Sequence, residues 1–328
     1  CSAVVGRRRT HREAASRHAQ YAPTMFSVAL SVASCLRAGT AVNVVWVLSA
    51  EGVPALDLTE AVALTPGGGR MGSLAGGAFD SQLVELAGIS SARLVDVEVS
   101  EVEALISGAP KGARATLAVV PADQLPGHLW AALLERRRVC LDAVLSGRQI
   151  VSVRAFHDDD PSFMEGSDEQ VVTMLGAAAS TSEVTADRAV TALVPVTRLA
   201  ISGGGPFADA LEHAARLLGW QVQRAGNPET ASGLMVGLSP LDAAVVMGHD
   251  VEASSTVLAA ALEGRAGYIG ALGSLRMQQN RADWLAYRGI TDLTRVHGPA
   301  GVDIAANTPA EVAVSILAEA IGVLNRPA

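Results

Sequence analysis

The sequence predicts an α/β protein with two domains, an amino-terminal α/β domain followed by a domain built on a doubly wound parallel sheet. Three observations lead to this fold class. The chain has 328 residues, more than one average domain contains. Hydrophobic residues make up 49% of the sequence and aromatic residues only 4%, so we expect cores of Ala, Val and Leu. From residue 196 onward, short apolar segments, glycine turns and helical segments alternate.

The amino-terminal half begins with a predicted helix. Residues 25–38 space their apolar side chains as a helix does, and Gly39 is the expected C-terminal stop. The remaining predicted elements are strands at 41–52 and 61–64, a helix from about Asp80, strands at 92–100 and 114–121, a helix at 128–147 and a strand at 149–156. Residues 157–170 are polar, acidic and interrupted by Pro and Gly, so we expect a solvated loop there rather than a metal site.

The carboxy-terminal half predicts a parallel sheet with helices on both faces. Its predicted segments are strands at 198–202, 220–226, 243–248 and 266–272, and helices at 206–219, 254–264, 277–289 and 308–322. The last helix begins with a capping box of Thr308 and Glu311, with Pro309 in its first turn. The segment "STSEVTADRAV", residues 180–190, carries few apolar residues, so we place the join between about 180 and 196 and predict domains at 25–185 and 196–325.

The distribution of charge argues against nucleic acid as a partner. The net charge is −8, and the first 24 residues contain five arginines against one glutamate, so the rest of the chain is more acidic still. Binding to nucleic acid requires a basic face. Residues 1–24 are therefore expected to form a disordered basic leader.

Cysteine spacing and hydropathy predict a cytoplasmic protein without a membrane span. Cys1, Cys35 and Cys140 lie far apart and form no CxxC motif, which fits a reducing compartment and supplies no metal site of the zinc type. The apolar runs are shorter than the roughly 18 residues that a membrane span requires. The early arginine-rich stretch lacks the apolar core of a secretory signal.

A glycine turn after residue 202 follows a predicted strand and opens a predicted helix. Gly203, Gly205 and Ala208 match the G-x-G-x-x-G/A pattern of Rossmann domains, in which the backbone approaches a pyrophosphate at a helix N-terminus. The second strand, "WQVQRAG", lacks the acidic residue that would bind the ribose of NAD. It contains Arg224, and an arginine can accept the 2′-phosphate of NADP. NAD(P) is therefore one candidate ligand of this Rossmann-like domain.

Two more turns in the same half carry candidate ligand residues. "MGHD" places His249 and Asp250 at the carboxyl end of a strand, where open α/β sheets bind ligands, and a His beside an Asp can bind or exchange protons. The alternative is that Asp250 caps the following helix. The next strand leads to a second expected glycine-lined turn, suited to phosphate, made by Gly270, Gly273 and Ser274 with Arg276 as a cation beside it.

The amino-terminal half has its own glycine cluster, "GSLAGGAFD", at residues 72–80. Together with "LDAAVVMGHD", "YIGALGS" and "VHGPAGVDIAANTPAEVAVSILAE", it makes an ordered set that resembles the XdhC/CoxI family of accessory proteins for molybdenum hydroxylases. The resemblance runs from about residue 28 to 325. It implies an amino-terminal α/β domain, a Rossmann-like domain and a homo-oligomer.

The resemblance also implies a function, a ligand and partners. Such proteins bind molybdopterin, the molybdenum cofactor, and assist its sulfuration or its insertion into an apo-enzyme such as xanthine dehydrogenase or carbon monoxide dehydrogenase. A cysteine desulfurase is a second candidate partner. In the amino-terminal half, the residues expected to bind the cofactor are Gly72, Ser73, Gly76, Gly77 and Asp80, while a tight turn capped by Asp80 is the structural alternative.

Departures from the family pattern keep other functions open. The family commonly has a cysteine where this chain has Ala78, and alanine can neither transfer sulfur nor ligate molybdenum. The first hypothesis is a cofactor-binding chaperone with no assigned catalytic residue. The second is an NAD(P)-dependent oxidoreductase, opposed by the missing ribose acid and by the lack of a hydride-site constellation. The third is a degenerate paralogue with a structural or regulatory role. It is suggested by Ala78 and by Pro206, which stands where the family pattern G-x-G-H has a histidine.

Overall fold

The computed structural model describes residues 24–53, 58–157, 161–177 and 179–325. The basic leader predicted for residues 1–24 lies, except for Thr24, outside these described residues. The chain divides into two compact units, and the division falls between Pro195 and Val196.

The amino-terminal unit is built on an antiparallel sheet. Within the described residues this sheet has nine strands, in the order β3-β2-β1-β5-β4-β7-β6-β9-β8. The strands are β1 (Asn43–Glu51), β2 (Ala61–Leu64), β3 (Arg70–Gly72), β4 (Arg93–Glu98), β5 (Arg114–Pro121), β6 (Val139–Ser146), β7 (Gln149–Phe156), β8 (Thr181–Val184) and β9 (Arg188–Leu193). Each pair of neighbours runs antiparallel. Side chains therefore alternate between the two faces of the sheet, and both faces need cover.

Helices cover both faces of this sheet. The helices of the described part are α1 (Met25–Arg37), α2 (Asp80–Leu86), α3 (Glu101–Ser107), α4 (His128–Leu134) and α5 (Glu169–Leu175). On one face, α1 and α4 pack on Val44 and Trp46 of β1. On the other face, Leu83 of α2 packs on Val45 and Val47 of the same strand. The predicted helix start near Asp80 and the glycine stop after α1 are confirmed, with Gly39 at φ 68°.

The helix predicted for residues 128–147 is wrong beyond its first half. Helix α4 ends at Leu134, Arg136 adopts a positive φ of 56°, and residues from Val139 form strand β6. Strand β6 pairs with β7 on one side and with β9 on the other. A short apolar run fits either period, and here backbone pairing with the hairpin partner β7 and with the distant strand β9 decides in favour of the strand.

The stretch taken as the join of the two domains, residues 180–196, carries regular structure. Strands β8 and β9 pair antiparallel from Thr181↔Ala192 to Val184↔Ala189, and β9 also pairs with β6. Residues 186–193, which the sequence leaves outside both predicted domains, thus belong to the sheet of the amino-terminal unit.

The carboxy-terminal unit is a parallel α/β domain, as the alternation of its segments predicts. Its described part contains a five-stranded sheet in the order β11-β10-β12-β13-β14. The strands are β10 (Arg198–Ser202), β11 (Gln221–Ala225), β12 (Ala243–Val246), β13 (Tyr268–Ala271) and β14 (Val296–His297), and the helices are α6 (Pro206–Leu217), α7 (Pro228–Val236), α8 (Val251–Glu263), α9 (Leu275–Tyr287) and α10 (Pro309–Leu324). All strand pairs are parallel.

Two hydrophobic clusters enclose this parallel sheet. Ala200 and Val246 face helices α7, α8 and α9, whereas Ile201 and Val245 face α6 and α10. The two faces are both buried, which explains why β12 has no exposed residue. The capping box predicted at Thr308 is confirmed, because Thr308 Oγ1 accepts from Glu311 N and Glu311 Oε2 accepts from Thr308 N.

The helices offer no candidate for a transmembrane segment. Among the residues that the structure describes, none of the helices has both the length and the apolar character that crossing a membrane requires.

Candidate functional site

The carboxyl edge of the parallel sheet is where the candidate site lies. Strand β10 is the first strand of the unit, and its neighbours are β11 on one side and β12 on the other. The chain order therefore reverses at β10, and open α/β sheets bind ligands outside the carboxyl ends of the strands at such a point. The loops that follow β10 and β12 lie at this position.

The first turn of the site follows β10 and contains Gly203 and Gly205. Gly203 has φ 113°, and a Cβ atom there would lie 2.9 Å from the carbonyl oxygen of Met247. Only glycine allows this approach, which brings the turn after β10 against the chain after β12. Gly205 is the N-cap of α6 and provides no side-chain cap, and Pro206 occupies the first helical turn. Proline is favourable there because its missing N–H has no helical partner to lose.

Arg224, the candidate for binding a 2′-phosphate, is held by contacts within the protein. Its Nε donates to the carbonyl oxygen of Gly203 at 3.0 Å, and its Nη1 donates to Asp209 Oδ1 at 2.5 Å. The hydrogen bond with Asp209 raises the pKa of the Arg224 guanidinium. A Cβ atom on Gly204 would lie 3.1 Å from Arg224 Nη2, so the guanidinium lies over the glycine turn. A 2′-phosphate would have to replace the Asp209 carboxylate as its partner.

The second turn of the site follows β12 and contains His249 and Asp250. Asp250 is the N-cap of α8, and its Oδ1 accepts from Ala253 N at 2.9 Å. The capping role considered for Asp250 is therefore present. His249 is exposed beside it at the carboxyl edge. Of the two side chains, His249 is the one available to a ligand.

The third turn follows β13, and the prediction for Gly270 is wrong. Gly270 lies inside β13, paired with Val245 and His297. It is small because the ring of Tyr268 occupies the space beside it, and a Cβ atom would lie 2.7 Å from the Tyr268 hydroxyl.

The turn itself begins after Leu272. Gly273 has φ 141°, and Ser274 is the N-cap of α9, accepting from Met277 N at 3.3 Å. Arg276 is exposed in the first turn of α9. Gly273, Ser274 and Arg276 thus share this edge, as predicted.

Arg281 of α9 is a residue of this site that sequence reasoning missed. Its side chain is 1% exposed, and burial lowers the pKa of the guanidinium. Its Nη2 donates to Gly248 O at 3.0 Å and its Nη1 to Leu272 O at 2.9 Å, so it joins the second and third turns. The other acceptors are Ser254 Oγ at 3.0 Å and Gln278 Oε1 at 3.2 Å, all of them neutral.

The neutral surroundings of Arg281 have an electrostatic consequence. A buried guanidinium keeps its positive charge, and here four neutral oxygens stabilise it. The charge lies directly behind two turns whose backbone faces the carboxyl edge. This arrangement favours an anion there. The only sequence signal was the spacing of Arg281 seven positions after Ser274, which puts it on the same helical face two turns away.

A second polar group lies on the other face of the sheet. The Tyr268 hydroxyl donates to Glu319 Oε2 at 2.7 Å, and burial together with this hydrogen bond raises the pKa of Tyr268. The same oxygen accepts from Gly301 N at 2.7 Å, and Glu319 Oε1 lies 3.4 Å from His297 Nδ1. The rings of Tyr268 and His297 stack with centroids 4.9 Å apart. Glu319 thereby fixes the loop after β14 against α10.

The glycine cluster of the amino-terminal unit forms a tight turn between β3 and α2. Gly72 has φ 97°, and a Cβ atom there would lie 2.3 Å from the carbonyl oxygen of Ala61. Asp80 is the first residue of α2, and its Oδ1 forms an ion pair with Arg70 Nη2 at 2.6 Å. Arg70 Nε also donates to Gly72 O at 3.0 Å. Asp80 therefore closes this turn through Arg70.

The other residues of this turn have distinct environments. Gly76 and Gly77 have φ 62° and 93°, and Ser73 is half-buried. Ala78, at the position of the family cysteine, is fully buried in the apolar cluster of α2. The buried carboxylate of Glu60 accepts from Ala75 N at 2.6 Å. The turn presents backbone and Ser73 outward, while the position of Ala78 faces the core.

The structure thus brings the predicted residues together in two separate groups. Gly203, Gly205, His249, Gly273 and Arg276 lie along one edge of the parallel sheet, and the residues from Gly72 to Asp80 form one turn of the other unit. Among the described residues, no group of three His, Cys, Asp or Glu side chains could hold a metal ion.

Comparison with known proteins identifies the parallel unit. Residues 199–320 match the family model of the XdhC Rossmann domain. A solved structure, described as a xanthine dehydrogenase from Bacillus halodurans, aligns with 90% of this chain and 95% of its own at 17% sequence identity and a TM-score of 0.43. A search of curated proteins finds no match.

Proposed function

Because the chain belongs to the XdhC family through its carboxy-terminal Rossmann domain, we propose that it is an accessory protein that binds the molybdenum cofactor for a molybdenum hydroxylase. The observation that carries this proposal is Arg281. A buried cation with neutral partners lies behind two turns at the ligand-binding edge of the sheet. Molybdopterin carries a phosphate, and a phosphate is the anion that such an edge accommodates.

The residues present fit the phosphate end of this cofactor. Gly273 and Ser274 provide backbone at the start of α9, and Arg276 adds an exposed cation in the first turn of that helix. The N-terminus of α6 has no side-chain cap, which leaves its amide groups for a ligand. His249 is placed to donate to the pterin or to its phosphate. When bound, the cofactor supplies the redox chemistry of the enzyme that receives it.

The amino-terminal glycine turn is less suited to sulfur transfer or to ligation of molybdenum. Ala78 is buried and has no ligating atom, and Asp80 is already paired with Arg70. The amino-terminal turn therefore offers polar contact through Ser73 and the backbone of Gly76 and Gly77. Binding and delivery of the cofactor, rather than its sulfuration, is the part of the proposal that these residues support.

Exposed apolar side chains near the carboxyl edge support transfer to a partner. Phe207 after β10 is 41% exposed, Leu275 after β13 is 75% exposed and Ile304 after β14 is 51% exposed. Apolar side chains around a polar ligand site are typical of a surface that docks another protein. We propose that the apo-enzyme contacts this rim when it receives the cofactor.

An NAD(P)-dependent oxidoreductase is the second candidate function. The glycine pattern of Gly203 and Gly205 supports it. The hydrogen bonds of Arg224 to Asp209 and to Gly203 O oppose it, because they occupy the guanidinium that the sequence offers for the 2′-phosphate.

Cofactor retention tests the proposal directly. Full-length protein purified from a host that makes molybdopterin is expected to carry it, seen as pterin fluorescence after oxidation. Arg281→Gln and Arg276→Gln are each expected to lower the bound pterin about tenfold, because each removes a positive charge from the edge. Arg288→Gln removes a charge from the opposite end of α9 and is the matched control.

Two results would contradict the proposal. One is a wild-type protein that retains no pterin and binds NADP in titration, which would favour the oxidoreductase. The other is pterin retention that falls equally in all three variants, which would show that the charges of Arg281 and Arg276 have no special part in binding the cofactor. Melting curves of each variant separate loss of binding from loss of fold.

A further inference from the structure

The amino-terminal unit contains an open pocket of about 540 Å³ that is separate from its glycine turn. The pocket lies where β1 begins and β5 ends, and Val42 and Pro121 form part of its wall. Leu36 from the last turn of α1 and Ile89 after α2 complete an apolar lining. This volume lies within the range of pockets that bind small organic molecules, roughly 300–1,000 Å³.

The two carboxamides that line this pocket donate to backbone carbonyl oxygens. Asn43 is 5% exposed, and its Nδ2 donates to the carbonyl oxygens of Leu86, Ala87 and Ile89 at 2.8–3.2 Å. These bonds use the donors of the carboxamide, so the oxygen is what Asn43 can offer a ligand. Gln124 Nε2 likewise donates to Ser90 O at 3.3 Å.

The charge of the pocket has one sign. Asp123, which is exposed, is its charged residue, and among the residues that the structure describes no Lys, Arg or His lines it. Helices α1 and α2 both end at its wall, and the carbonyl end of a helix carries partial negative charge. Arg37, the basic residue of the last turn of α1, is exposed, donates to Ser34 Oγ and does not line the pocket.

We propose that this pocket binds a small organic cation. Its apolar wall accommodates a hydrocarbon body, and Asp123 together with the carboxamide oxygens accepts hydrogen bonds from an ammonium group. An anion would face Asp123 and the helix ends with no compensating cation in the pocket. The site is independent of cofactor binding in the carboxy-terminal unit.

A series of three probes with the same ring tests the proposal on the full-length chain. Benzylamine is a cation at neutral pH, benzyl alcohol is neutral and benzoate is an anion. Isothermal titration is expected to show binding of benzylamine, binding of benzyl alcohol at least about fivefold weaker, and no measurable binding of benzoate.

Two variants test whether benzylamine binds in this pocket. Asp123→Asn is expected to weaken benzylamine binding about fivefold, while Glu85→Gln, which removes an exposed acid outside the pocket lining, leaves it unchanged.

Gly88 lines the pocket, its φ is not positive, and a Cβ atom there meets nothing within 4 Å. Gly88→Leu is therefore expected to fill part of the pocket and abolish binding, with Gly226→Leu, in an equally open position of the other unit, as the control.

The proposal is overturned if benzoate binds as tightly as benzylamine. It is also overturned if Asp123→Asn and Gly88→Leu both bind benzylamine like the wild type while their melting curves show a folded protein. These titrations measure benzylamine and not pterin, so loss of pterin binding in Arg281→Gln changes neither result.

Discussion

Arg281 shows at the scale of single residues how a buried side chain can hold two surface turns in place. It positions the carbonyl groups of Gly248 and Leu272 and places a charge behind them. Asp250 and Ser274, which lie in conspicuous motifs, act as helix caps. The helix caps at the surface and the buried guanidinium between the turns therefore both fix the geometry of this edge.

Ala78 leads to the first prediction at this scale. Ala78→Cys is expected to place its thiol in the core beside α2, because the native side chain is fully buried. Burial also raises the pKa of a thiol, as it does for Cys140, to about 12. Labelling with a thiol reagent, followed by mass spectrometry, should modify Cys35, which is half-buried, well before position 78. Equal labelling rates in the folded protein would show that position 78 is accessible to sulfur chemistry.

Glu103 leads to a second prediction, on stability against pH. Burial raises the pKa of its carboxyl, but hydrogen bonds from Ser81, Ser100 and Gln82 outweigh burial and lower it from 4.5 to about 2. A carboxyl whose pKa is lowered by folding stabilises the folded protein at pH values above its pKa in the unfolded state. This stabilisation is lost as the pH falls from about 4.5 towards 2. Glu103→Ala should cost about 1 kcal/mol at pH 7 and reduce the loss of stability on acidification, measured by urea unfolding.

The matched control for Glu103 lies on the same helix. Glu101 is exposed and pairs with Lys111. Glu101→Ala is expected to cost less at pH 7 than Glu103→Ala. Glu103 forms a capping box with Ser100 at the start of α3, and equal costs for the two variants would mean that this capping box contributes little.

Turns are the elements that matter most at the carboxyl edge. The turn after β10 reaches the chain after β12 through Gly203, and Arg281 links the turn after β12 to the turn after β13. Three strand ends are thus connected by contacts a few ångströms long. Helix α6 begins without a side-chain cap, and Pro206 starts it after Gly205, whose φ is 85°.

Gly203 provides the prediction at this scale. Gly203→Ala should destabilise the protein by about 2 kcal/mol or more, because φ is 113° and the new Cβ would lie 2.9 Å from Met247 O. Gly226→Ala, after β11, has no positive φ and open space, and should change stability by less than about 1 kcal/mol. Urea unfolding of the two variants measures the difference, and similar values would refute a close approach at Gly203.

The whole molecule consists of two units with separate cores. Each hydrophobic cluster of the described residues lies within one unit. The parallel unit has helices on both faces of its sheet, which is the arrangement of an independently folding domain. The antiparallel unit holds a distinct pocket and its own glycine turn.

A fragment tests this division. Residues 196–325 alone are expected to fold and to unfold cooperatively in urea, because both cores of the parallel sheet are contained in them. A fragment of residues 206–325 lacks β10, which pairs with both β11 and β12, and should not fold. Circular dichroism distinguishes the two cases. The absence of a cooperative transition in the longer fragment would show that the carboxy-terminal unit depends on the rest of the chain.

The sequence by itself determined the features that depend on neighbouring residues. The period of apolar side chains, the glycine that stops α1 and the capping box at Thr308 act over three to four residues, and they can be read from the chain directly. The first four strands and four of the helices of the carboxy-terminal unit follow from the same local patterns, whereas α7 and β14 were not predicted. Gly203 and Gly273 were predicted to lie in turns because they follow predicted strands, and both adopt a positive φ in the structure.

Only the tertiary structure decided the features that depend on residues far apart in the chain. Strand β6 forms where its hairpin partner β7 and the distant strand β9 pair with it on its two sides. Arg281 links two loops because folding surrounds it with their carbonyl groups. The pocket around Asn43 likewise exists only where two helix ends meet the sheet. In each case the deciding energy is a contact between distant segments, which no local pattern encodes.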